Sequence, residues 1–241
     1  MRRCAAAVLA AASLAAPAAA QRSLGIEGAT DERRRGLSWT GGRATAAVDA
    51  RASLGPAEVR GRVAALRGSE RHAGADAVAS LSAELRETVA GVELSGLAVA
   101  HLFAGASAGM DYVELGGAAA YALGPARAVA GLSYAPSQRS IGGDNLYLYL
   151  GLDTGVPGTP LTLVAEVGHT TGSETDPVRA QRLRPGGSYS SVRLSVERRQ
   201  GPLTLALDYH DTDADRRSAF GPFADARHIG SRLVGRVRFD L

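Results

Sequence analysis

Five histidines and a single cysteine are the residues of this 241-residue chain most apt for catalysis or metal binding. His210 shares a face with Asp208, a neighbour able to orient an imidazole. No serine stands beside that pair to act as nucleophile. His228 and Ser231 are three residues apart, which in a strand puts them on opposite faces. His101 has the same parity as Glu93, and His169 the opposite, outward one. His72 sits in a polar loop beside Glu70 and Arg71, where a solvated side chain is expected. No His or carboxylate pair has the spacing of metal ligands on a helix, so neither an enzyme nor a resident metal or cofactor is expected. Asp211, Asp213 and Asp215 could touch Ca2+ or the divalent ions of lipopolysaccharide, but their loop lacks the glycine and terminal glutamate of an EF-hand. A solvated acidic loop is the simpler reading. Gly142-Gly143 and Gly186-Gly187 lead into no helical pattern and read as loop hinges, not phosphate cradles.

Charge narrows the options further. All 27 basic residues are arginine, against 24 acidic ones. Two of the arginines fall within residues 1–20, leaving 25 against 24 in the remainder. That balance argues against a nucleic-acid partner, which needs a basic excess on one face. The absence of lysine excludes Schiff bases and lysine-dependent phosphate loops. The only cysteine, Cys4, leaves the rest of the chain without thiols, disulfides or cysteine metal sites.

The elements that must position these charges begin after a leader. Arg2-Arg3, an apolar stretch over 4–16 and Ala18-Ala19-Ala20 have the layout of a secretory signal peptide, with cleavage before Gln21. The apolar stretch is shorter than the roughly 20 residues that span a bilayer, so an N-terminal anchor helix is the weaker alternative. Period-2 alternation then recurs along the chain, as in Leu146, Leu148, Leu150 and Leu152 against Tyr147, Tyr149, Gly151 and Asp153. About twelve strands are expected: 23–30, 43–51, 57–66, 76–86, 91–103, 111–122, 126–135, 144–154, 160–170, 188–198, 202–212 and 228–241. Residues 77–86 could also form a short amphipathic helix. Every second connection is short, and four of those five carry Gly followed closely by Pro, at 55–56, 124–125, 158–160 and 201–202. The alternate connections are long and polar. One domain over 21–241 is predicted, an antiparallel up-and-down transmembrane β-barrel of the outer membrane of a Gram-negative bacterium, with turns in the periplasm and loops outside.

In such a barrel the apolar parity faces lipid and the other faces the lumen. Arg43, Arg51, Arg60, Arg62, Arg232, Arg236 and Arg238 fall on strands brought together by closure, and form an arc with few inward carboxylates to neutralise it. Glu84, Glu93, Glu114, Glu166, Asp153 and Asp208 supply the rest of the wall. These residues are the candidate pore lining, and the opposed charges would orient polar solutes. Alternatively they pair and plug a barrel too narrow to conduct. Arg33-Arg34-Arg35, in the first long loop, reads as an exposed run able to meet lipid phosphates or a solute. Aromatics are sparse, with Tyr121, Tyr134, Tyr209 and Phe239 on the outward parity near strand ends.

Ala29-Thr30-Asp31-Glu32-Arg33-Arg34-Arg35-Gly36-Leu37-Ser38 resembles the opening of the TorF-type porins, the Gcw_chp family of outer-membrane proteins. There a "(T/S)DYRFRGIS" stretch follows the first strand; here Glu32 and Arg34 replace its Tyr and Phe. Gly131-Leu132-Ser133-Tyr134-Ala135-Pro136, Tyr147-Leu148-Tyr149 and the run from Gly201 to Asp213 are similar to the family too. The resemblance implies an outer-membrane barrel with a porin role, and hands over no catalytic residue and no defined solute. Val237, Phe239 and Leu241 resemble the C-terminal signal read by the outer-membrane assembly machinery. The expected partners are therefore that machinery, outer-membrane lipid and lipopolysaccharide, and small solutes. Three functions stay open: a passive channel for small polar or charged solutes, a closed structural or adhesive barrel acting through its loops, and a soluble periplasmic β-protein.

Overall fold

A computed structural model describes residues 21–241; the signal peptide expected over 1–20 lies outside the described residues. Twelve long strands close into one antiparallel barrel: β1 (Gln21–Ala29), β4 (Thr45–Leu54), β5 (Ala57–Ser69), β6 (Ala75–Val89), β7 (Val92–Ala104), β8 (Tyr112–Leu123), β9 (Ala126–Gln138), β10 (Gly143–Gly155), β11 (Leu161–Thr171), β12 (Tyr189–Gln200), β13 (Leu203–Thr212) and β14 (Arg232–Asp240). Each pairs with its sequence neighbours, and β1 closes on β14 with Ile26 opposite Phe239. Two further strands, β2 (Arg33–Arg34) and β3 (Leu37–Ser38), form a separate hairpin. Residues 77–86 lie in β6, so the helical alternative does not form.

The alternation is expressed as a two-faced wall. Leu81, Leu85, Leu115, Leu150, Leu207 and Leu233 are more than half exposed on the outside. Alternate residues such as Asp49, Ser80, Glu114, Asn145 and Asp208 are buried inside. An apolar exterior around a polar interior is the inverse of a soluble barrel and fits a hydrocarbon surround. Tyr121 and Phe239 lie outward near the turn end, and Tyr134 and Tyr209 near the loop end. They form a thin aromatic belt at each rim.

Local chemistry sets the turns. Gly55, Gly124 and Gly201 each have φ near +60° and each precedes proline in a two-residue hairpin loop. Glycine first and proline second suits a type II′ turn, whose twist matches the flanking strands. Ala90 and Gly91 both have positive φ, as a type I′ turn demands. Inside the wall, glycine makes room for larger neighbours. Tyr149 lies over Gly131 and Tyr147 over Gly168, where a Cβ would collide with the phenol ring. Gly25 likewise lets the Arg238 guanidinium cross β1.

Candidate functional site

The lumen is not empty. After β1 the chain turns inward and β2–β3 lies inside the barrel. Asp31, 2% exposed, anchors the base of this hairpin. It accepts hydrogen bonds from Ser38 Oγ at 2.6 Å, Thr40 Oγ1 at 2.7 Å and Arg33 Nη1 at 3.2 Å. Arg35 and Gly36, both with positive φ, make the tip. There the Arg35 carbonyl accepts from Tyr189 Oη at 3.0 Å, and a Cβ at Gly36 would strike Thr212. The hairpin therefore reaches across to β12 and β13. Arg33-Arg34-Arg35, expected as an exposed run, is instead an internal partition: a run of three charges reads as solvated unless its partners on distant strands are known.

Two cavities flank the partition. One of about 240 Å3 lies against β1, β5 and β11–β14 and is lined by Glu27, Arg62, Glu166, Arg193, Asp208 and Arg236 among others. The second, about 270 Å3, lies against β6–β10 and includes Glu84, Val99, His101, Glu114, Tyr147 and Tyr149. Arg35 borders both. It donates to Glu114 at 2.9 Å and its guanidinium stands 4.7 Å from the Tyr147 ring centre.

The arginine arc exists but is not bare. Asp49, on β4, takes two bonds from Arg238 and lies 3.6 Å from Arg60 and 3.8 Å from Arg62. Glu27 on β1 meets Arg62 at 2.8 Å and Arg236 at 3.6 Å. Glu32 meets Arg62 at 3.0 Å, Arg51 lies 3.5 Å from Glu58, and Glu197 meets Arg236 at 2.8 Å. Asp208 takes Arg193 at 2.9 Å as well as Arg236. The expectation of an unneutralised arc is therefore corrected: Glu27 and Asp49 share the inward parity of their strands and were legible as partners. Arg43 and Arg232 are exposed at the loop rim, bonded to the carbonyls of Thr40 and Gly42, and do not line the wall. At the turn end, Glu93 pairs with Arg127 at 2.7 Å, Asp153 lies 3.8 Å from Arg127, and Glu84 pairs with Arg86.

Above the cavities, on the side of the long connections, a buried cap fills the barrel mouth. Trp39 packs edge-on to His72 at 4.7 Å and to His101 at 5.7 Å, with the Arg34 guanidinium 4.3 Å from its ring. Arg71 and Arg182 are fully buried. Arg71 donates to the carbonyls of Ser38, Arg182 and Ala224 at 2.7 to 3.0 Å, joining three loops. Arg182 donates to the carbonyls of Met110 and Ser140 and to His72 Nδ1, and lies over Phe103. Burial pulls both guanidinium groups down to about 10. His72, expected in solvent, is fully buried, and burial with the facing Arg182, Arg71 and Arg34 charges holds its imidazole well below the ordinary value. The connection over 171–187, expected as an exposed polar loop, folds into this cap with Ala180, Arg182 and Arg184 buried.

The other histidines resolve individually. His101 points inward, but its acidic neighbour is Glu114 at 3.7 Å, not Glu93 at the far end of the strand. Ser80 Oγ lies 2.9 Å from His101 Nδ1, a serine–histidine–glutamate alignment that only the register of β6, β7 and β8 brings together. Arg34 donates to both Ser80 Oγ and His101 Nδ1. His169 faces outward beside Ser190, and His210 faces inward with Asp208. His228 precedes β14 in a short turn and bonds Asp225.

A closed twelve-stranded barrel, apolar outside and charged within, places the chain in the outer-membrane type of β-barrel. The chain belongs to Gcw_chp, a family of bacterial proteins of unknown function, whose model matches residues 90–231. No curated protein matches it. Among solved structures, the COG4313 outer membrane channel from Pseudomonas putida F1 is similar over 97% of this chain and 98% of that one, at 12% identity and a TM-score of 0.54. A membrane protein from a study of in-meso crystallization aligns over 91% of this chain and 83% of its own, at 11% identity and a TM-score of 0.52. LpxR from Salmonella typhimurium covers 90% and 99%, at 11% identity and a TM-score of 0.49. The likeness to the first two establishes the fold.

Proposed function

We propose that the protein is an outer-membrane channel of the TorF porin type for small polar or charged solutes, with a path narrowed by the inserted arginine hairpin. The carrying observation is the pair of charged cavities on either side of β2–β3. Side chains in paired, alternating charge suit a water-filled path and reject apolar solutes. Similarity to a protein described as an outer membrane channel supports the reading. So does the apolar outer band, which suits contact with membrane lipid and lipopolysaccharide. The long loops and cap face the exterior, the Gly-Pro turns face the periplasm, and β14 is the strand offered to the assembly machinery. No catalytic role is assigned to Ser80, His101 and Glu114. Arg34 occupies Ser80 Oγ, and Ser80 borders neither cavity.

The test is conductance of the purified barrel in planar bilayers, compared with a variant lacking residues 33–38. A small, stepwise conductance that widens on deletion is expected. A silent barrel that stays silent after deletion favours the second reading, a closed barrel acting through its loops, for which the buried cap is the specific observation. Orientation is tested on intact cells. A tag beside exposed Arg217 should be detected and one at Gly158 should not. Gly186 is unsuitable as a tag site, since its Cβ would strike the Asp215 carbonyl.

A further inference from the structure

We propose that the cavity against β11–β13 is a binding site for a small zwitterion of the α-amino-acid class, a proposal that rests on the channel reading and names its solute. The cavity is lined by five arginines and five carboxylates, so a ligand with net charge would upset a balanced wall. Within that balance one carboxylate stands apart. Glu27, Asp31, Glu32 and Asp208 are all in ion pairs. Glu166 has none among the described residues, and its one bond is from Tyr147 Oη at 2.8 Å. Its cross-strand neighbour is Arg193, but that guanidinium turns the other way, to Asp208 at 2.9 Å. Glu166 therefore keeps acceptor capacity facing the cavity, where an ammonium group can be taken up.

Donors for the other end lie close by. Arg35 stacks on the ring of the same Tyr147 whose hydroxyl holds Glu166, and binds Glu114 through Nη2 alone. Arg193 reaches Asp208 through Nε and Nη2. The first Nη of each guanidinium has no acceptor among the described residues, which suits a carboxylate. His210 also lines the cavity at 7% exposure, with its Nδ1 buried and without a hydrogen-bond partner. A buried polar atom left unmatched costs free energy unless something binds it. An unpaired carboxylate, unpaired guanidinium N–H groups and an orphan imidazole nitrogen share a space of about 240 Å3, fit for a small molecule carrying both charges. The Tyr147 ring holds the acidic and basic ends apart, and Glu166 and Arg35 are not in ion-pair contact with each other.

Calorimetric titration of the detergent-solubilised full barrel with alanine, acetate, methylammonium and glycerol tests this without requiring conduction. Alanine should bind, with each of the other three at least about tenfold weaker, the worth of one charge-assisted hydrogen bond. Glu166→Gln should weaken alanine by about the same factor while leaving acetate unchanged, and Glu166→Asp should recover part of the loss. Heat-modifiable migration of each variant verifies that the barrel has formed. Equal binding of alanine and acetate, or an alanine affinity indifferent to Glu166→Gln, overturns the proposal. A barrel that binds alanine but never conducts overturns the channel reading and leaves this site standing.

Discussion

The two halves of the barrel are built on different principles. Toward the turns the interior is a wall of part-exposed ion pairs such as Arg127–Glu93, reaching from β9 to β7, and Arg86–Glu84, within β6. Toward the loops it is a packed core of Trp39, His72, Phe103 and Tyr112, crossed by two buried arginines whose partners are mostly carbonyl oxygens. The first half can exchange its partners with water at little cost. The second cannot, because each buried guanidinium would lose bonds to several loops at once. The hairpin belongs to both, with its base in the core and its tip between the cavities. The barrel thus carries a rigid cap on a solvated shaft.

The largest effect should come from Trp39→Ala, which removes the central ring of the cap and should lower its stability by about 3–5 kcal/mol. Resistance of the loops to protease, scored at constant barrel heat-modifiability, reads this directly. A variant whose loops resist as wild type would mean that the cap does not depend on its core. Arg71→Ala leaves three loop carbonyls unbonded and should cost about 3 kcal/mol, with conductance rising as the loops part. If conductance holds constant while the loops become cleavable, the cap does not stand in the path.

Acid should separate the halves by a smaller amount. His72 is held neutral in the fold with its pKa well below 6.5. Below pH 6.5 the opened cap binds a proton that the packed cap refuses, so cap stability is full above that value. It falls as pH drops, by at most about 1.4 kcal/mol per pH unit. Trp39 is the only tryptophan, so its emission follows the cap alone. A urea midpoint identical at pH 7.5 and pH 5 would show that His72 is not sealed. The smallest effect belongs to the shaft. Arg127→Ala breaks an exposed pair and should change stability by no more than about 0.5 kcal/mol, checked by the barrel's thermal midpoint; a shift several times larger would erase the distinction between the halves.

What could be read from the residues follows the same division. Lipid outside and charge inside write a period of two into every long strand, so Leu148, Leu150 and Leu152 announced their face, and so did Glu114, Glu166 and Asp208. The Gly-Pro pairs announced the turns because few other residues suit them. The cap was illegible for a physical reason. Arg71 donates only to backbone carbonyls and Arg182 to two of them besides His72, and since every residue carries a carbonyl, no acidic partner betrays either arginine. Arg33-Arg34-Arg35 looked solvated for want of a visible counterpart. The one available hint was Trp39, the sole tryptophan, placed in a loop otherwise polar. Ser80, His101 and Glu114 lie far apart along the chain, and only strand register joins them.

The pairing of β1 with β14 has a consequence for timing. The barrel is closed by the first and last described strands, along the register from Gly25–Asp240 to Ala29–Arg236. Until the final strand arrives, the chain is an open curved sheet with two bare edges, the condition in which sheets pair with the wrong partner. Such distant ends meet late, because contacts remote in sequence must first overcome the entropy of a long loop. Arg238–Asp49 and Arg236–Glu27 lie across this joint from the inside, and neither can form while it is open. They act as a latch thrown at the end of assembly. A chain truncated before Arg232 would lose both the last strand and the latch, and would remain an unsealed sheet however well its other ten strand pairings had formed.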